Sequence, residues 1–257
     1  MSTSADVVTA CLIIIGDEIL SGRTKDKNLP YLAEKLNETG VRLSECRVVP
    51  DVEAEIVAAV NACRARFDYV FTTGGIGPTH DDITADSVAA AFGVGIDYHP
   101  DAMALLQAHY DKTGMDFNES RKRMARVPDG AELIDNPVSK APGFQIGNVF
   151  VLAGVPAIMQ AMFESLRHKL VGGEPVRSVA IAVYLGEGVM APGLGALQQK
   201  YPDVSMGSYP FYRDGRFGTS IVSRSPDEDR LSAAADEIRA LMRALGGEPI
   251  DDENSPA

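Results

Sequence analysis

Three strand-like runs, Val7 to Ile15, Val41 to Val49 and Asp68 to Thr73, alternate with stretches of helical periodicity. That alternation constrains the fold more than any other feature. Val7 to Ile15 is nearly unbroken apolar sequence that stops at Gly16, the pattern of a strand covered on both faces. Asn28 then stands ahead of Pro30 and the apolar positions Leu29, Leu32 and Leu36, with Gly40 as the stop. A capping residue, a first-turn proline and a closing glycine predict a helix there. Asp51 opens a second helix, with Ile56, Val60, Cys63 and Phe67 at helical spacing. After the loop Gly74-Gly75-Ile76-Gly77-Pro78, a third helix is predicted from about Thr84 to Phe92. Connections this short predict a three-layer α/β/α sandwich with a mostly parallel sheet.

The middle of the chain is less regular. Helices are predicted over His99 to Lys112 and, as a short basic element, over Asn118 to Ala125. Short strands follow between Glu132 and Ala153, broken by the turn-rich stretch Asn136 to Gly143, and a helix from Pro156 to His168 closes the first domain, 5–171. Gly172-Gly173-Glu174-Pro175 reads as a linker. Beyond it, a strand (Val176 to Leu185), a helix from about Pro192 to Lys200, a hairpin turning at Arg213-Asp214-Gly215 and a helix from Pro226 to Leu245 predict a small α+β, ferredoxin-like domain over 176–247. The acidic tail 248–257 is expected to be disordered.

The net charge of −12 bears directly on partners. So acidic a chain repels nucleic-acid phosphates and anionic lipid, which argues against nucleic-acid and membrane partners. A phosphorylated ligand must instead be held locally, by backbone amides, a few basic side chains or a metal. The three cysteines, Cys11, Cys46 and Cys63, are too scattered for a metal-ligand pair and read as reduced core residues. The first residues lack the basic start and cleavage site of a signal peptide, so a cytoplasmic setting is expected.

The chemistry concentrates in Thr72-Thr73-Gly74-Gly75-Ile76-Gly77-Pro78-Thr79-His80-Asp81-Asp82-Ile83-Thr84. A strand runs into a glycine-rich turn and then a helix start, which lets backbone amides approach an anion and adds the partial positive charge of the helix. The C-terminal edge of a parallel sheet is where such ligands bind. Candidate ligand-binding residues here are Thr73, Gly74, Gly75, Gly77, Pro78, Thr79 and Thr84. Asp81 and Asp82 would repel the anion unless a divalent cation or a proton intervenes; one of them capping the helix is the plainer role. Gly16-Asp17-Glu18, with Asn28, should sit on the same edge and could hold a sugar, a pterin or a metal, or form a solvated loop with Asn28 as a cap. Asp51 also follows a strand and falls nearby, or serves as a cap. Ser139, Lys140 and Gly143 lie in a proline-flanked loop that could meet a phosphate or be a structural turn. Arg121, Lys122, Arg123 and Arg126 could close over a diphosphate, but read as a solvated helical face.

The string from Thr72 to Thr84 resembles the signature of the molybdopterin-binding domain shared by molybdenum-cofactor biosynthesis proteins and the competence/damage-inducible protein A (CinA) family. The CinA-like branch is the better match. Gly16 to Gly22 resembles that family's first motif, Asn136 to Gly143 its later loop, and Leu152-Ala153-Gly154-Val155-Pro156 its next strand-to-helix turn. Gly207-Ser208-Tyr209-Pro210 resembles part of its second domain. Ala153 stands where the family has proline, and Ile158 where it has an acidic residue.

This resemblance implies a homo-oligomer, dimer or trimer. It also implies either molybdopterin binding or metal-dependent hydrolysis of a dinucleotide pyrophosphate of the ADP-ribose or FAD type. Asp81, Asp82 and Asp51 are the candidate catalytic residues; the aspartates matching Asp51 and Asp82 are implicated in the cofactor-biosynthesis branch, which adenylylates molybdopterin or inserts the metal. Asp17, Asp81 and Asp82 are the candidate ligands for a magnesium- or cobalt-type divalent metal, and Lys140 would offset developing charge. The alternative is a non-catalytic carrier or a molybdenum-cofactor biosynthesis protein. The chain stops before the amidase domain of full-length CinA proteins, so nicotinamide-nucleotide deamidation is not expected.

Overall fold

A computed structural model describes residues 7–213 and 215–252. Residues 5 and 6 of the expected first domain, Asp214 of the expected hairpin turn and positions 253–257 of the tail lie outside them. The chain divides into two compact units between Gly173 and Glu174.

The first unit runs β1 (Val8–Ile15), α1 (Asp17–Leu20), α2 (Asn28–Glu38), β2 (Val41–Val49), α3 (Glu53–Arg64), β3 (Tyr69–Thr73), α4 (Thr84–Phe92), β4 (Ile96–Tyr98), α5 (Pro100–Thr113), α6 (Glu119–Lys122), β5 (Arg126–Pro128), β6 (Glu132–Ile134), β7 (Gly143–Ile146), β8 (Val149–Leu152) and α7 (Pro156–Leu166). Its main sheet has the order β2-β1-β3-β8-β7-β6. The first four strands are parallel, and β7 runs antiparallel to both its neighbours. Strand β1 explains the layering. Its odd positions, Cys11, Ile13 and Ile15, pack with Ile56, Val60 and Val88 of α3 and α4. Its even positions, Leu12 and Ile14, pack with Leu32, Leu36, Met159 and Phe163 of α2 and α7. Alternation along one apolar strand therefore glues a helical layer to each face. β4 and β5 form a separate antiparallel pair that carries no periodic signal in the sequence.

Two cap assignments change. Asp26, not Asn28, caps α2: its carboxylate accepts from the amides of Asn28 (3.3 Å) and Leu29 (2.8 Å). Asp51 does not cap α3, which begins after Val52. Both freed side chains reach elsewhere.

The second unit runs β9 (Arg177–Val183), α8 (Glu187–Lys200), β10 (Ser205–Arg213), β11 (Arg216–Ser225), α9 (Glu228–Ala244) and β12 (Ile250–Asp251). The sheet order β10-β11-β9-β12 with all pairs antiparallel is the ferredoxin-like arrangement. Ile181, Val183 and Ile221 pack against Met190, Ala235, Ile238 and Met242. Helix α8 starts before Pro192, which lies inside it.

The tail expected to be disordered from 248 supplies the fourth strand. Ile250 and Asp251 pair with Ala182 and Ile181, and the buried Asp252 carboxylate accepts two hydrogen bonds from the Arg213 guanidinium (2.9 and 3.2 Å). A two-residue strand has no period to read, and its acidic neighbours are satisfied only by partners distant in sequence.

The cysteines also depart from expectation. Cys46 is exposed on β2. Cys11 and Cys63 are buried with their sulfurs 3.0 Å apart, and Glu45 joins them so that all three ligand atoms lie within 4.8 Å. The Glu45 carboxylate is already held by Arg47 (2.6 Å) and Arg66 (2.8 Å). The shared hydrogen bond raises the Cys11 thiol and lowers that of Cys63. Among the described residues no helix is long and apolar enough to cross a membrane.

Candidate functional site

The parallel strands β1, β2, β3 and β8 deliver four chain segments to one sheet edge. At its centre is the glycine turn after β3. Gly74 has φ 105°, and a Cβ there would lie 2.1 Å from the Ile15 carbonyl oxygen. Its amide donates to the Leu152 carbonyl at 3.2 Å. The turn is thus wedged between the ends of β1 and β8, and glycine is required by backbone proximity as much as by φ. Thr84 then ties α4 to it: the Thr84 hydroxyl donates to Gly74 O (2.9 Å) and its amide to Gly75 O (3.0 Å). Thr84, expected to touch ligand, is fully buried and builds the turn instead.

The remaining amides behave differently. Gly75, Ile76 and Gly77 are half-buried, and their N–H groups donate no hydrogen bond among the described residues. Three adjacent donors beside the N-terminus of α4 suit an anion.

Asp82 lies against this turn. Its Oδ2 accepts from the Thr79 amide (2.8 Å) and hydroxyl (2.5 Å), and sits where a Cβ on Gly77 would be 2.7 Å away. Asp81 points outward, with His80 Nδ1 at 4.0 Å. The Thr79 hydroxyl (shared with Asp82), the residue's own amide and His80 hold the Asp81 carboxyl below its usual range.

Asp51 crosses from the end of β2 to accept the Asp17 amide at 3.0 Å. Burial pushes its carboxyl up, and repulsion from Asp17, Glu18 and Asp81 adds to this. Asp17, Glu18 and Asp81 thus lie within electrostatic reach of Asp51 at this edge. The expected metal trio does not close: among the described residues, the three-ligand grouping that does is Cys11, Glu45 and Cys63. Asp82 is engaged by Thr79 and Asp81 is exposed to solvent.

A raised carboxyl binds its proton more tightly folded than unfolded, so its favourable contribution is full below an unfolded pKa of about 3.9 and is lost as pH rises through the folded value. Asp51→Asn is accordingly expected to melt higher than the wild type at pH 7, with the difference vanishing at the acid end of a pH series followed by thermal unfolding.

On the opposite side of the sheet edge, Asn28 is buried and donates to Gly154 O at 2.9 Å, while its Oδ1 has no partner. Gly154 is itself close to the turn; a Cβ on it would meet Gly74 Cα at 3.2 Å. Thr72 and Thr73 also carry buried hydroxyls without partners. A hollow of about 410 Å³ opens between Pro78, Thr79, His80 and Asn118, Ser120, Arg121, and a narrow cleft joins Gly75, Gly77 and Asp82 to Arg123 and Arg126.

Residues 11–172 match the family model described as a probable molybdopterin binding domain. The chain belongs to the molybdopterin-binding domain family, in its CinA-like branch. A protein of Aeropyrum pernix is 34% identical over 264 residues, covering 96% of this chain and 97% of its own. A CinA-like protein of Salinibacter ruber is 31% identical over 252 residues, 94% of this chain but 60% of its own length. The crystal structure of CinA, a protein of unknown function from Thermoplasma acidophilum, matches with a TM-score of 0.58 and 33% identity over 63% of this chain and 96% of that one. Residues 175–246 match the middle domain of FAD synthase.

Within this CinA-like domain the later loop is a structural turn. Buried Asn136 accepts from the amides of Val138 and Ser139 (3.1 Å each) and donates to Ser139 Oγ and Ala141 O (2.7 Å each). The described contacts do not join Ser139 or Lys140 to the glycine turn. Gly143 serves strand packing, since a Cβ there would fall 2.3 Å from Val151 O. Ala153 and Ile158, the positions that depart from the family pattern, are partly buried hydrophobics packed on the core cluster of α2 and α7. The basic run at 121–126, read from sequence as a solvated face, is the element that the structure brings to the cleft.

Proposed function

We infer that this protein binds a dinucleotide pyrophosphate, of the ADP-ribose or FAD type, across the glycine turn and hydrolyses it. The observation that carries this reading is the set of three unbonded amides at Gly75, Ile76 and Gly77, in a cleft shared with Asp82 and Arg123 at one edge of a parallel sheet. Donors fixed before the ligand arrives stabilise charge developing on phosphate oxygens without reorganising. Asp51 suits the general base, because its proton affinity is raised and the Asp17 amide fixes its orientation. Water, deprotonated towards Asp51, bonds to one phosphorus; the bridging P–O bond breaks, and AMP leaves together with ribose 5-phosphate or FMN. The match of the second unit to the FAD synthase middle domain supports a flavin- or adenine-nucleotide ligand.

The repulsion that Asp17, Glu18 and Asp81 exert on Asp51 would be relieved by a divalent cation brought in with the phosphates of the ligand and held by a carboxylate such as Asp17, leaving Asp51 free as the base. A bound cation would supply Lewis-acid polarisation of the phosphoryl oxygens. The buried, unpartnered Oδ1 of Asn28 fits a ligand N–H or hydroxyl donor.

A second reading, a molybdopterin carrier without turnover, is supported by the family's description. Incubating the purified protein with ADP-ribose or FAD and magnesium or cobalt, and chromatographing the products, separates the two. Metal-dependent AMP release is expected. Pterin binding with no cleavage under any metal would leave the carrier.

A further inference from the structure

We propose that Arg123 is the basic anchor of this site, receiving a phosphate of the ligand while the Gly75–Gly77 amides hold its neighbour. This rests on the reading of the glycine turn as a pyrophosphate site.

The basic run contains four cations, and three are already engaged. Arg126 makes a two-point ion pair with Asp86 (2.8 and 2.7 Å). Lys122 pairs with Glu119 at 2.7 Å. Arg121 lies over the Tyr110 ring at 4.7 Å and donates to the Asp116 carbonyl. Arg123 differs. It has no acidic partner among the described residues, its Nη2 makes one long bond of 3.4 Å to the Asp82 carbonyl, and its Nε is buried without an acceptor.

A buried guanidinium N–H left unbonded is costly, so the site is poised for an oxygen ligand. The chain carries a net charge of −12, and the cleft that Arg123 shares with Gly75, Gly77 and Asp82 holds this cation beside unbonded amides. A planar donor fork matches phosphate oxygens in a way that a lysine point charge does not. Local structure fixes the placement: the 3₁₀ turn Arg123–Ala125 leads directly into β5, which is paired with β4. Arg123 is therefore held against the turn by backbone pairing. The inferred ligand presents two linked phosphates, one to the amides and one to the guanidinium.

The test uses the full chain. Titration with inorganic pyrophosphate is followed on the arginine ¹⁵Nε–¹H resonances, and calorimetry measures ADP-ribose binding to wild type, Arg123→Gln, Arg123→Lys and, as a surface control, Arg66→Gln. The resonance absent from Arg123→Lys should shift saturably. Arg123→Gln should bind roughly ten- to a hundredfold more weakly, Arg123→Lys should recover part of the loss, and Arg66→Gln should match the wild type. A wild type that binds neither pyrophosphate nor ADP-ribose overturns the reading of the turn and this assignment with it. A wild type that binds, with a silent Arg123 resonance and unchanged affinity in Arg123→Gln, overturns the assignment of Arg123 alone. Either Arg123 variant assigns the resonance by its absence, so the resonance decides where the other variant fails to fold.

Discussion

Gly74→Ala is expected to destabilise the first unit by about 3–5 kcal/mol, combining backbone strain with overpacking. The native φ of 105° lies where a side chain is strained, and the new methyl would sit 2.1 Å from the Ile15 carbonyl oxygen. That oxygen belongs to a buried strand hydrogen-bonded on both sides, so it has nowhere to retreat. Relief would require parting β1 from β3, at the centre of the sheet. Thermal unfolding should show a midpoint lowered by about 10 °C or more. Gly93→Ala is the matched control. It shares a positive φ (66°) but has open space around the added methyl, and should cost only about 1 kcal/mol. Equal losses at the two positions would show that the close approach of β1 to the turn contributes nothing.

Asp82→Ala is expected to slow pyrophosphate cleavage by about a hundredfold, chiefly through positioning. The carboxylate fixes the Thr79 amide and hydroxyl and lies against Gly77, so its removal frees the segment that shapes the unbonded amides. Stability should fall by only about 1 kcal/mol, the worth of a partly exposed hydrogen-bonded turn. Asp82→Asn keeps an acceptor for Thr79. It should restore most of the rate, because the structure commits this carboxylate to Thr79. If Asp82→Asn is as slow as Asp82→Ala in steady-state assays while melting normally, the charge itself acts in the reaction.

Much of the fold was legible because its causes are local. The unbroken apolar run of β1 dictates burial on both faces, and proline or glycine at helix ends sets several boundaries. Phe92 ends α4 at Gly93, and Pro156 starts α7, as the sequence predicts. The glycine string also announces a sharp turn before a helix, and its order of motifs carries the family resemblance. In the second unit the periodic elements were readable and β12 was not. Two residues hold no pattern, and the edge is completed by partners distant in sequence, Ala182 and Ile181 on β9 and Arg213 on Asp252, 39 positions apart.

The sequence by itself determined the layered α/β architecture, the position of the turn and the family, since each follows from spacing within a few residues. Tertiary structure alone decided which polar groups are occupied. Thr84 and Asp82 are drawn into building the turn, Asp51 meets the Asp17 amide 34 positions away, and Asn28 meets Gly154 across 126. The same holds for Arg123, whose neighbours in the basic run found acidic partners while its buried Nε found no acceptor. Hydrogen-bonding capacity is a property of a residue type, but whether it is satisfied depends on what the fold places within about 3 Å.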